Sequence, residues 1–329
     1  MTPEILMTAP MHPVVAEVLE SRVTLHRLWD QPDQSAFLAE VGSRIRGVAT
    51  STLFGRVGEQ LFDALPNLEV VASFGVGYDN VDVGAAAARG IVVTNTPGVL
   101  DDEVADLTVG LLLATLRQIP QADRYLRDGR WLERAFPLSA TLRGRRIGIV
   151  GLGRIGKAVA RRLEGFGVEI AYHGRSQQPG VAYAYYARPT DLAAASDVLI
   201  ILAPGGAETS HLIDADVLAA LGPDGVLINV SRGSLVDEPA LIAALQAGTI
   251  LAAGLDVYAD EPRVPEALIA LPNTVLLPHI ASASVATRAA MARLVAENLI
   301  AWFGTGKPLT SVAETAHLAA RQSRRQAEP

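Results

Sequence analysis

Residues 147–156 read Ile147-Gly148-Ile149-Val150-Gly151-Leu152-Gly153-Arg154-Ile155-Gly156. A short β-branched run here leads into the pattern G-x-G-x-x-G, and apolar residues at helical spacing follow it. This order of strand, tight turn and helix is typical of a dinucleotide-binding site. The glycines allow the turn, the approach of a pyrophosphate to the backbone and close packing of the helix, whose N-terminus attracts the anion. The alternative, a glycine-rich turn without a ligand, is disfavoured by the flanking strand and helix.

The composition excludes several classes of protein. The chain has 329 residues, half of them hydrophobic, a net charge of −7 and no long basic run, which argues against nucleic-acid binding. Because it has no cysteine, it has no disulfide or thiolate metal site, and no metal is predicted. Neither a signal-peptide pattern nor an apolar run of about 20 residues is present, so we expect a soluble, cytoplasmic protein without membrane contact.

Upstream of the glycine-rich turn, short apolar runs alternate with helical patterns. Strands are predicted at residues 4–8, 23–28, 47–50, 70–74 and 91–94, with a helix at 14–19. Such alternation predicts a parallel sheet with helices on both faces. Downstream, a helix over 285–303 is expected to cross back to this first domain, and the polar, arginine-rich residues from about Glu314 are expected to form a mobile tail.

Glycines follow the predicted strand 70–74 in the run Ser73-Phe74-Gly75-Val76-Gly77-Tyr78-Asp79-Asn80. A loop at the end of a strand can present backbone N–H groups to an anion, which would make this a cradle for a substrate carboxylate. The alternative is an ordinary strand-to-helix turn in which Asp79 or Asn80 caps the next helix. The local sequence leaves both open.

The second strand of the dinucleotide-binding half is predicted at 168–172, and His173-Gly174-Arg175-Ser176 follow it. An NAD-binding chain usually carries a carboxylate here to hold the ribose 2′-hydroxyl, and none is present. An arginine and a hydroxyl suit the 2′-phosphate of NADP(H) through charge-assisted hydrogen bonds. NADP(H) is therefore preferred over NAD(H), chiefly because the acid is missing, since almost every cation of this chain is an arginine.

Polar residues follow four further predicted strands. Strand 198–202 leads into Ala203-Pro204, strand 226–230 into Ser231-Arg232-Gly233, strand 251–257 contains Asp256 and leads to Glu261, and strand 275–277 leads to His279. The carboxyl ends of parallel strands lie at one edge of an open sheet, where ligands bind. We therefore expect Arg232, Glu261 and His279 to converge there.

These three side chains suit the reduction of a carbonyl group by a nicotinamide cofactor. His279 would give a proton to the developing alkoxide, and Glu261 would hydrogen bond its other nitrogen and fix the tautomer. Arg232 would bind the carboxylate and carbonyl oxygens of a 2-oxo acid. Each residue alone has a structural alternative: a satisfied core histidine, a solvated turn glutamate or an arginine that caps a strand end. Their order along the chain favours the catalytic interpretation.

With these motifs the sequence resembles the D-isomer-specific 2-hydroxyacid dehydrogenase family. Six stretches carry the resemblance in family order along nearly the whole chain, namely residues 75–82, 151–156, 229–233, 254–257, 260–262 and 277–280. The resemblance implies Arg232, Glu261 and His279 as the catalytic set. It also implies that the substrate is bound by the backbone of Val76 and Gly77 and by Arg232 and His279.

The resemblance further implies a set of cofactor contacts in the glycine-rich turn, in the loop for the 2′-phosphate and along the strand ends. The set is Thr108, Gly151, Leu152, Gly153, Arg154, Ile155, Gly156, Gly174, Arg175, Ser176, Ala203, Pro204, Thr209, Val230, Ser231, Arg232, Asp256, His279 and Ala281. Residues 173–176 are similar to the NADP-preferring glyoxylate/hydroxypyruvate reductases of the family. Residues 183–188 and the run from Leu221 onward are also similar to hydroxyphenylpyruvate and 2-ketogluconate reductases.

The implied architecture is α/β, with two doubly wound parallel-sheet domains. A flavodoxin-like substrate domain of residues 1–97 plus 285–317 accompanies a Rossmann dinucleotide-binding domain of residues 98–284, and residues 318–329 form a flexible tail. A homodimer is implied around residues 101–142. In the loop-like arm 129–142, Trp131 and Phe136 are either a subunit contact or local packing.

The sequence thus predicts NADPH-dependent reduction of glyoxylate and hydroxypyruvate to D-2-hydroxy acids. A reductase of a larger 2-oxo acid is the alternative within enzymes, with residues 51–54 and 74–76 expected to line the pocket. A cofactor-sensing regulatory protein on the same fold is the alternative of another class. The intact set of Arg232, Glu261 and His279 argues against it.

Overall fold

The computed structural model describes residues 2–52 and 55–319. The chain divides into two compact units. The first holds the residues up to Leu100 together with those from Ser284 onward, and the second holds Asp101–Ala283. Within the described ranges, no helix combines the length and apolarity that a membrane crossing requires.

The first unit is built around a five-stranded parallel sheet with the order β2-β1-β3-β4-β5. Its strands are β1 Glu4–Met7, β2 Thr24–Arg27, β3 Ile45–Ser51, β4 Val70–Phe74 and β5 Val92–Thr94. Its helices are α1 Val14–Leu19, α2 Gln34–Val41, α3 Glu59–Ala64, α4 Val83–Ala88 and α12 Val285–Thr305. Strand β4 is buried throughout, including Ser73, as its nearly continuous apolar run predicts for a strand covered on both faces. The strand order is the flavodoxin-like one and confirms the predicted fold.

The second unit is built around a seven-stranded parallel sheet with the order β12-β11-β10-β9-β6-β7-β8. Its strands are β6 Arg146–Val150, β7 Glu169–His173, β8 Ala184–Tyr186, β9 Val198–Ile201, β10 Val226–Asn229, β11 Ala252–Leu255 and β12 Thr274–Leu276. Its helices are α5 Asp101–Arg117, α6 Ile119–Arg127, α7 Arg154–Glu164, α8 Pro189–Ala194, α9 Ala215–Leu221, α10 Glu238–Ala247 and α11 Glu266–Ile269. The order is that of a Rossmann fold, as predicted, with its switch point between β6 and β9.

Short 3₁₀ turns complete the secondary structure at Leu28–Asp30, Gly42–Arg44, Arg130–Leu132, Ala207–Thr209 and Gly233–Leu235. In the second unit, aspartates cap two helices that cover the sheet: Asp214 accepts from the N–H of Val217, and Asp237 from that of Ala240. Such caps satisfy N–H groups that have no partner inside the helix and fix where it begins.

The mobile tail predicted from Glu314 is wrong for residues 314–319. Thr315 is fully buried, and its hydroxyl accepts from the backbone N–H of Val93 at 3.0 Å. The hydroxyl of Tyr78 donates to the carboxylate of Glu314. The segment is therefore fixed to the first unit by contacts that its polar composition did not indicate, while residues 320–329 lie outside the described residues.

Candidate active site

The glycine-rich turn joins β6 to α7 and has no room for side chains at two positions. Gly151 adopts a φ of +97°, and a Cβ there would lie 2.5 Å from the backbone nitrogen of Ala203. A Cβ on Gly156 would lie 2.3 Å from the carbonyl oxygen of Gly151. At Gly153, the N-cap of α7, a Cβ would meet no atom within 4 Å, so this side of the turn is open. An open backbone at a helix N-terminus suits a pyrophosphate.

The loop after β7 suits the 2′-phosphate of NADP(H). His173 ends the strand, and the side chains of Arg175 and Ser176 are exposed beyond it. The loop over 174–178 contains no carboxylate that would repel a phosphate. The donor set therefore fits a phosphorylated ribose better than a free 2′-hydroxyl.

Several predicted cofactor residues line the carboxyl ends of the sheet. Ala203 and Ser231 follow neighbouring strands β9 and β10, and the Ser231 hydroxyl donates to the Ala203 carbonyl. The Thr209 hydroxyl donates to the carbonyl of Pro204 at 2.8 Å. Thr108 lies buried on α5, and its hydroxyl donates within the helix to the carbonyl of Val104. Ala203, Pro204, Thr209 and Ser231 thus lie at one edge of the sheet. The hydroxyl of Thr108 already donates its proton within α5, so it could only accept a hydrogen bond from a cofactor.

Glu261 and His279 form a hydrogen-bonded pair. The Glu261 Oε2 lies 2.6 Å from the His279 Nδ1, as the sequence predicted, and the other carboxylate oxygen accepts from the backbone N–H of Tyr258 at 3.0 Å. Burial alone would raise the pKa of Glu261, but the bond to His279 and the charge of Arg232 lower it below its ordinary value. Glu261 is therefore a carboxylate that accepts from Nδ1–H, which leaves Nε2 of His279 for proton transfer.

The backbone of His279 is held by Asp256. His279 adopts a φ of +54°, a left-handed conformation that is unfavourable for a non-glycine residue. Its N–H donates to the Asp256 carbonyl, and the Asp256 carboxylate accepts from the N–H groups of Ile280 at 2.7 Å and Ala281 at 2.8 Å. Burial raises the pKa of Asp256, although these two bonds act in the opposite direction. Three bonds thus maintain the position from which the imidazole projects.

Arg232 reaches the same edge of the sheet from β10. Its guanidinium donates to the carbonyl of Ser231, and its own carbonyl accepts from the side-chain amide of Asn229 at 2.9 Å. A Cβ on the following Gly233 would lie 1.9 Å from the carbonyl carbon of Tyr258, so this loop packs against the segment that carries Glu261. Because β10, β11 and β12 are adjacent and in register, the second unit brings Arg232, Glu261 and His279 together.

The loop after β4 in the first unit presents two unengaged backbone donors. Within residues 2–52 and 55–319, the N–H groups of Val76 and Gly77 have no hydrogen-bond acceptor. The loop is fixed by Thr96, whose hydroxyl accepts from Gly75 N–H, and by Asn95, which donates to the Val76 carbonyl at 2.8 Å. The capping alternative for Asp79 or Asn80 is wrong, because Asp82 caps α4 through the N–H of Ala85.

The two aromatic residues of the arm over 129–142 lie in different surroundings. Phe136 packs edge-on against the ring of Tyr125, with the centroids 5.3 Å apart, which is local packing. Trp131 is 67% exposed, and Leu132 and Leu138 are almost completely exposed. In the expected pocket segment 51–54, Leu53 and Phe54 lie outside the described residues.

Sequence reasoning missed the residues that support the site. Asn95 and Thr96 hold the loop after β4, and the hydroxyl of Tyr258 donates to the carbonyl of Leu277. Each of these bonds joins residues about 20 positions apart, which only the fold reveals. It also missed a cavity of about 490 Å³ at the opposite edge of the sheet, among residues that include Gln121, Arg145 and Thr274. In the described part of the chain, no group of three His, Asp or Glu side chains could hold a metal ion.

Comparisons with known proteins agree with this geometry. The sequence profile of the D-isomer specific 2-hydroxyacid dehydrogenase NAD binding domain matches residues 109–281. The chain is 49% identical over 305 residues to hydroxyphenylpyruvate reductase of Plectranthus scutellarioides. This alignment covers 93% of this chain and 97% of that protein. It is 47% identical over 308 residues to glyoxylate/hydroxypyruvate reductase A HPR2 of Arabidopsis thaliana, with 94% and 98% covered.

A solved structure extends the likeness to three dimensions. The NADPH-dependent glyoxylate/hydroxypyruvate reductase of Sinorhizobium meliloti, solved with NADP and malonate, is 55% identical and superimposes with a TM-score of 0.91. The match covers 96% of this chain and 98% of that chain. The chain therefore belongs to the D-isomer-specific 2-hydroxyacid dehydrogenase family.

Proposed function

We propose that the protein reduces glyoxylate to glycolate and hydroxypyruvate to D-glycerate, with NADPH as the reductant. The observation that carries this proposal is the 2.6 Å bond between Glu261 and His279 beside Arg232. This set can bind a 2-oxo acid and protonate its carbonyl oxygen. The relatives from Arabidopsis thaliana and Sinorhizobium meliloti, which bear the glyoxylate/hydroxypyruvate reductase name, support the same substrates.

The cofactor would be held by residues of the second unit. The backbone from Gly151 to Gly156 would hold the pyrophosphate, and Arg175 and Ser176 would hold the 2′-phosphate. The strand-end residues would line the remainder of the cofactor, namely Ala203, Pro204, Thr209, Val230, Ser231, Asp256 and Ala281. When bound, the reduced nicotinamide supplies a hydride to the carbonyl carbon of the substrate.

The protein residues then handle the charge and the proton. Arg232 binds the substrate carboxylate and polarises the carbonyl, which stabilises the negative charge that develops on oxygen. His279 donates its Nε2 proton to that oxygen as the alkoxide forms. Glu261 keeps the Nδ1 proton in place and stabilises the imidazolium before the proton is transferred. In the first unit, we propose that the N–H groups of Val76 and Gly77 bind a carboxylate.

A larger 2-oxo acid is a second candidate substrate, because the chain is 49% identical to a hydroxyphenylpyruvate reductase. To decide between them, the purified protein is assayed with glyoxylate, hydroxypyruvate, hydroxyphenylpyruvate and 2-ketogluconate, each with NADPH and with NADH. Fast turnover of the two small acids with NADPH supports the proposal. Preference for a larger acid supports the second candidate, and no turnover of any pair with retained NADPH binding would favour a cofactor-sensing regulatory role.

We further propose that the protein acts as a homodimer in the cytoplasm. The exposed apolar side chains Trp131, Leu132 and Leu138 near α6 support a subunit contact on residues 101–142. Light scattering on the purified protein would test the assembly. Replacing Trp131 and Leu132 by serine should increase the monomer fraction, whereas an unchanged dimer would exclude this arm as the contact.

A further inference from the structure

Three hydrogen bonds fix the loop over residues 174–178, and none of them involves a group that takes part in the proposed reaction. The hydroxyl of Tyr185 donates to the carbonyl of Gly174 at 3.2 Å. The backbone N–H of Gln178 donates to the hydroxyl of Tyr172 at 2.7 Å, and its side-chain Nε2 donates to the carbonyl of Leu152 at 2.8 Å. Tyr172 is fully buried, so this anchor belongs to the rigid core of the unit.

The bond from Tyr185 sets the direction of a donor on Arg175. The Gly174 carbonyl and the Arg175 N–H belong to one trans peptide group, in which they point in opposite directions. Because Tyr185 holds the carbonyl, the N–H of Arg175 is directed away from Tyr185. Neither this N–H nor the exposed guanidinium has a hydrogen-bond partner among residues 2–52 and 55–319. Both remain available to an anion.

The bond from Gln178 joins the two loops that would bind the anionic groups of one cofactor. Leu152 lies inside the glycine-rich turn, and Gln178 ends the loop that carries Arg175 and Ser176. One amide side chain thus fixes the separation between the turn for the pyrophosphate and the loop for the 2′-phosphate. Preorganisation of this kind raises affinity because less freedom is lost on binding.

We infer that Gln178 and Tyr185 are positioning residues that select NADPH over NADH. They act through Gly174, Arg175 and Leu152 and do not themselves touch the cofactor. The inference rests on the proposed function only for the identity of the cofactor. Since NADH has no 2′-phosphate, a loop that is less well held weakens NADPH binding. The glycine-rich turn keeps its own bonds, such as that from the Gly151 N–H to the His173 carbonyl, so NADH binding should remain almost unchanged.

The test compares Tyr185→Phe and Gln178→Met with the wild-type protein. Tyr183→Phe is the matched control, because the Tyr183 hydroxyl donates to Glu164 on α7, outside the loop. For each variant, kcat and KM are measured with both cofactors, and the Kd of NADP⁺ and NAD⁺ is measured by calorimetry without substrate. We expect the preference for the phosphorylated cofactor to fall about fivefold in each variant, the effect of one hydrogen bond. The KM for NADPH should rise in both variants, while kcat should not change. The control Tyr183→Phe should have the kcat and KM values of the wild-type protein.

Two results would overturn the inference: an unchanged preference in both variants, or an equal loss of affinity for the two cofactors, which would indicate a purely structural role. Thermal unfolding shows whether a variant has lost stability. If Gln178→Met proves unstable, Tyr185→Phe still tests the inference, because it removes only a hydroxyl group. If the wild-type protein binds NADP⁺ preferentially but reduces no 2-oxo acid, the proposed function fails, and the Kd values still decide the role of Gln178 and Tyr185.

Discussion

Asp256 fixes the backbone on both sides of His279. Its carbonyl accepts from His279 N–H at 2.9 Å, and its carboxylate accepts from Ile280 N–H at 2.7 Å. The second carboxylate oxygen accepts from Ala281. The buried side chain and the carbonyl of Asp256 thus hold His279 in a left-handed backbone conformation, which is unfavourable for a non-glycine residue.

Asp256→Asn should therefore act mainly on kcat, with a smaller effect on the free energy of unfolding. An asparagine offers one acceptor oxygen for two N–H donors, and its NH₂ group opposes the second donor, so the peptide after His279 has to shift. A shift near 1 Å at a reacting group costs about 100-fold in rate. Steady-state kinetics, with Asp260→Asn as an exposed control in the same loop, would measure the loss. Equal kcat values for the two variants would show that Asp256 does not position His279.

Glu261→Gln should slow the reduction. The neutral amide of the variant has no negative charge to stabilise the positive charge that proton transfer leaves or forms on the imidazole, and its NH₂ group can face Nδ1 in place of an acceptor oxygen. We expect kcat to fall by at least about tenfold, since general acid catalysis contributes 10²–10⁴-fold. Steady-state kinetics with NADPH would measure the loss, with Glu266→Gln on α11 as the control. Equal kcat values for the two variants would contradict the proposed role of the pair.

The same carboxylate makes a pH-dependent contribution to stability. The pKa of Glu261 is lowered in the folded protein from its ordinary value of 4.5, so the folded state favours its ionised form. Its contribution is present above pH 4.5 and is lost as the pH falls through the lowered pKa. The unfolding free energies of wild type and Glu261→Gln should therefore differ more at neutral pH than at about pH 3. A constant difference between urea melts at the two pH values would exclude the effect.

Two glycines of the turn should separate stability from cofactor binding. Gly156→Ala places a Cβ 2.3 Å from a backbone oxygen, and such overpacking destabilises by about 1–3 kcal/mol. Gly153→Ala meets no protein atom within 4 Å, so its unfolding free energy should change by less than about 0.5 kcal/mol. Its methyl group would keep a pyrophosphate from the backbone and weaken NADPH binding about tenfold or more. Unchanged affinity in Gly153→Ala would exclude this turn as the site.

Arg175→Ala should raise the KM for NADPH about 10- to 100-fold, because hydrogen bonds between charged groups contribute about 1.5–3 kcal/mol. The KM for NADH should not change, since NADH lacks the 2′-phosphate. Arg161→Ala, which removes another exposed arginine from α7, controls for the loss of net charge. Equal losses with both cofactors would contradict the assignment of the loop.

The sequence specified the features that depend on local pattern. The glycine spacing from Gly151 to Gly156 and the polar residues at the strand ends sufficed to predict a Rossmann fold and the convergence of Arg232, Glu261 and His279. Carboxyl ends of parallel strands must meet at one edge, so this prediction needed no knowledge of side-chain contacts.

The remaining features depend on tertiary contacts. Helix α6 went unpredicted because Pro120 interrupts its pattern, although a proline is compatible with a first helical turn. The burial of Thr315 reflects its bond to Val93, more than 200 positions away in the chain. For the same reason, no spacing rule indicated that Asp256 would bind Ile280 and Ala281.

If His279 protonates the substrate oxygen, the variant His279→Ala lacks the proton donor. The kcat/KM for glyoxylate with NADPH should fall by about 100-fold or more, while the Kd for NADPH, measured by fluorescence titration, stays near the wild-type value. Wild-type turnover by this variant, with intact NADPH binding, would show that His279 does not supply the proton.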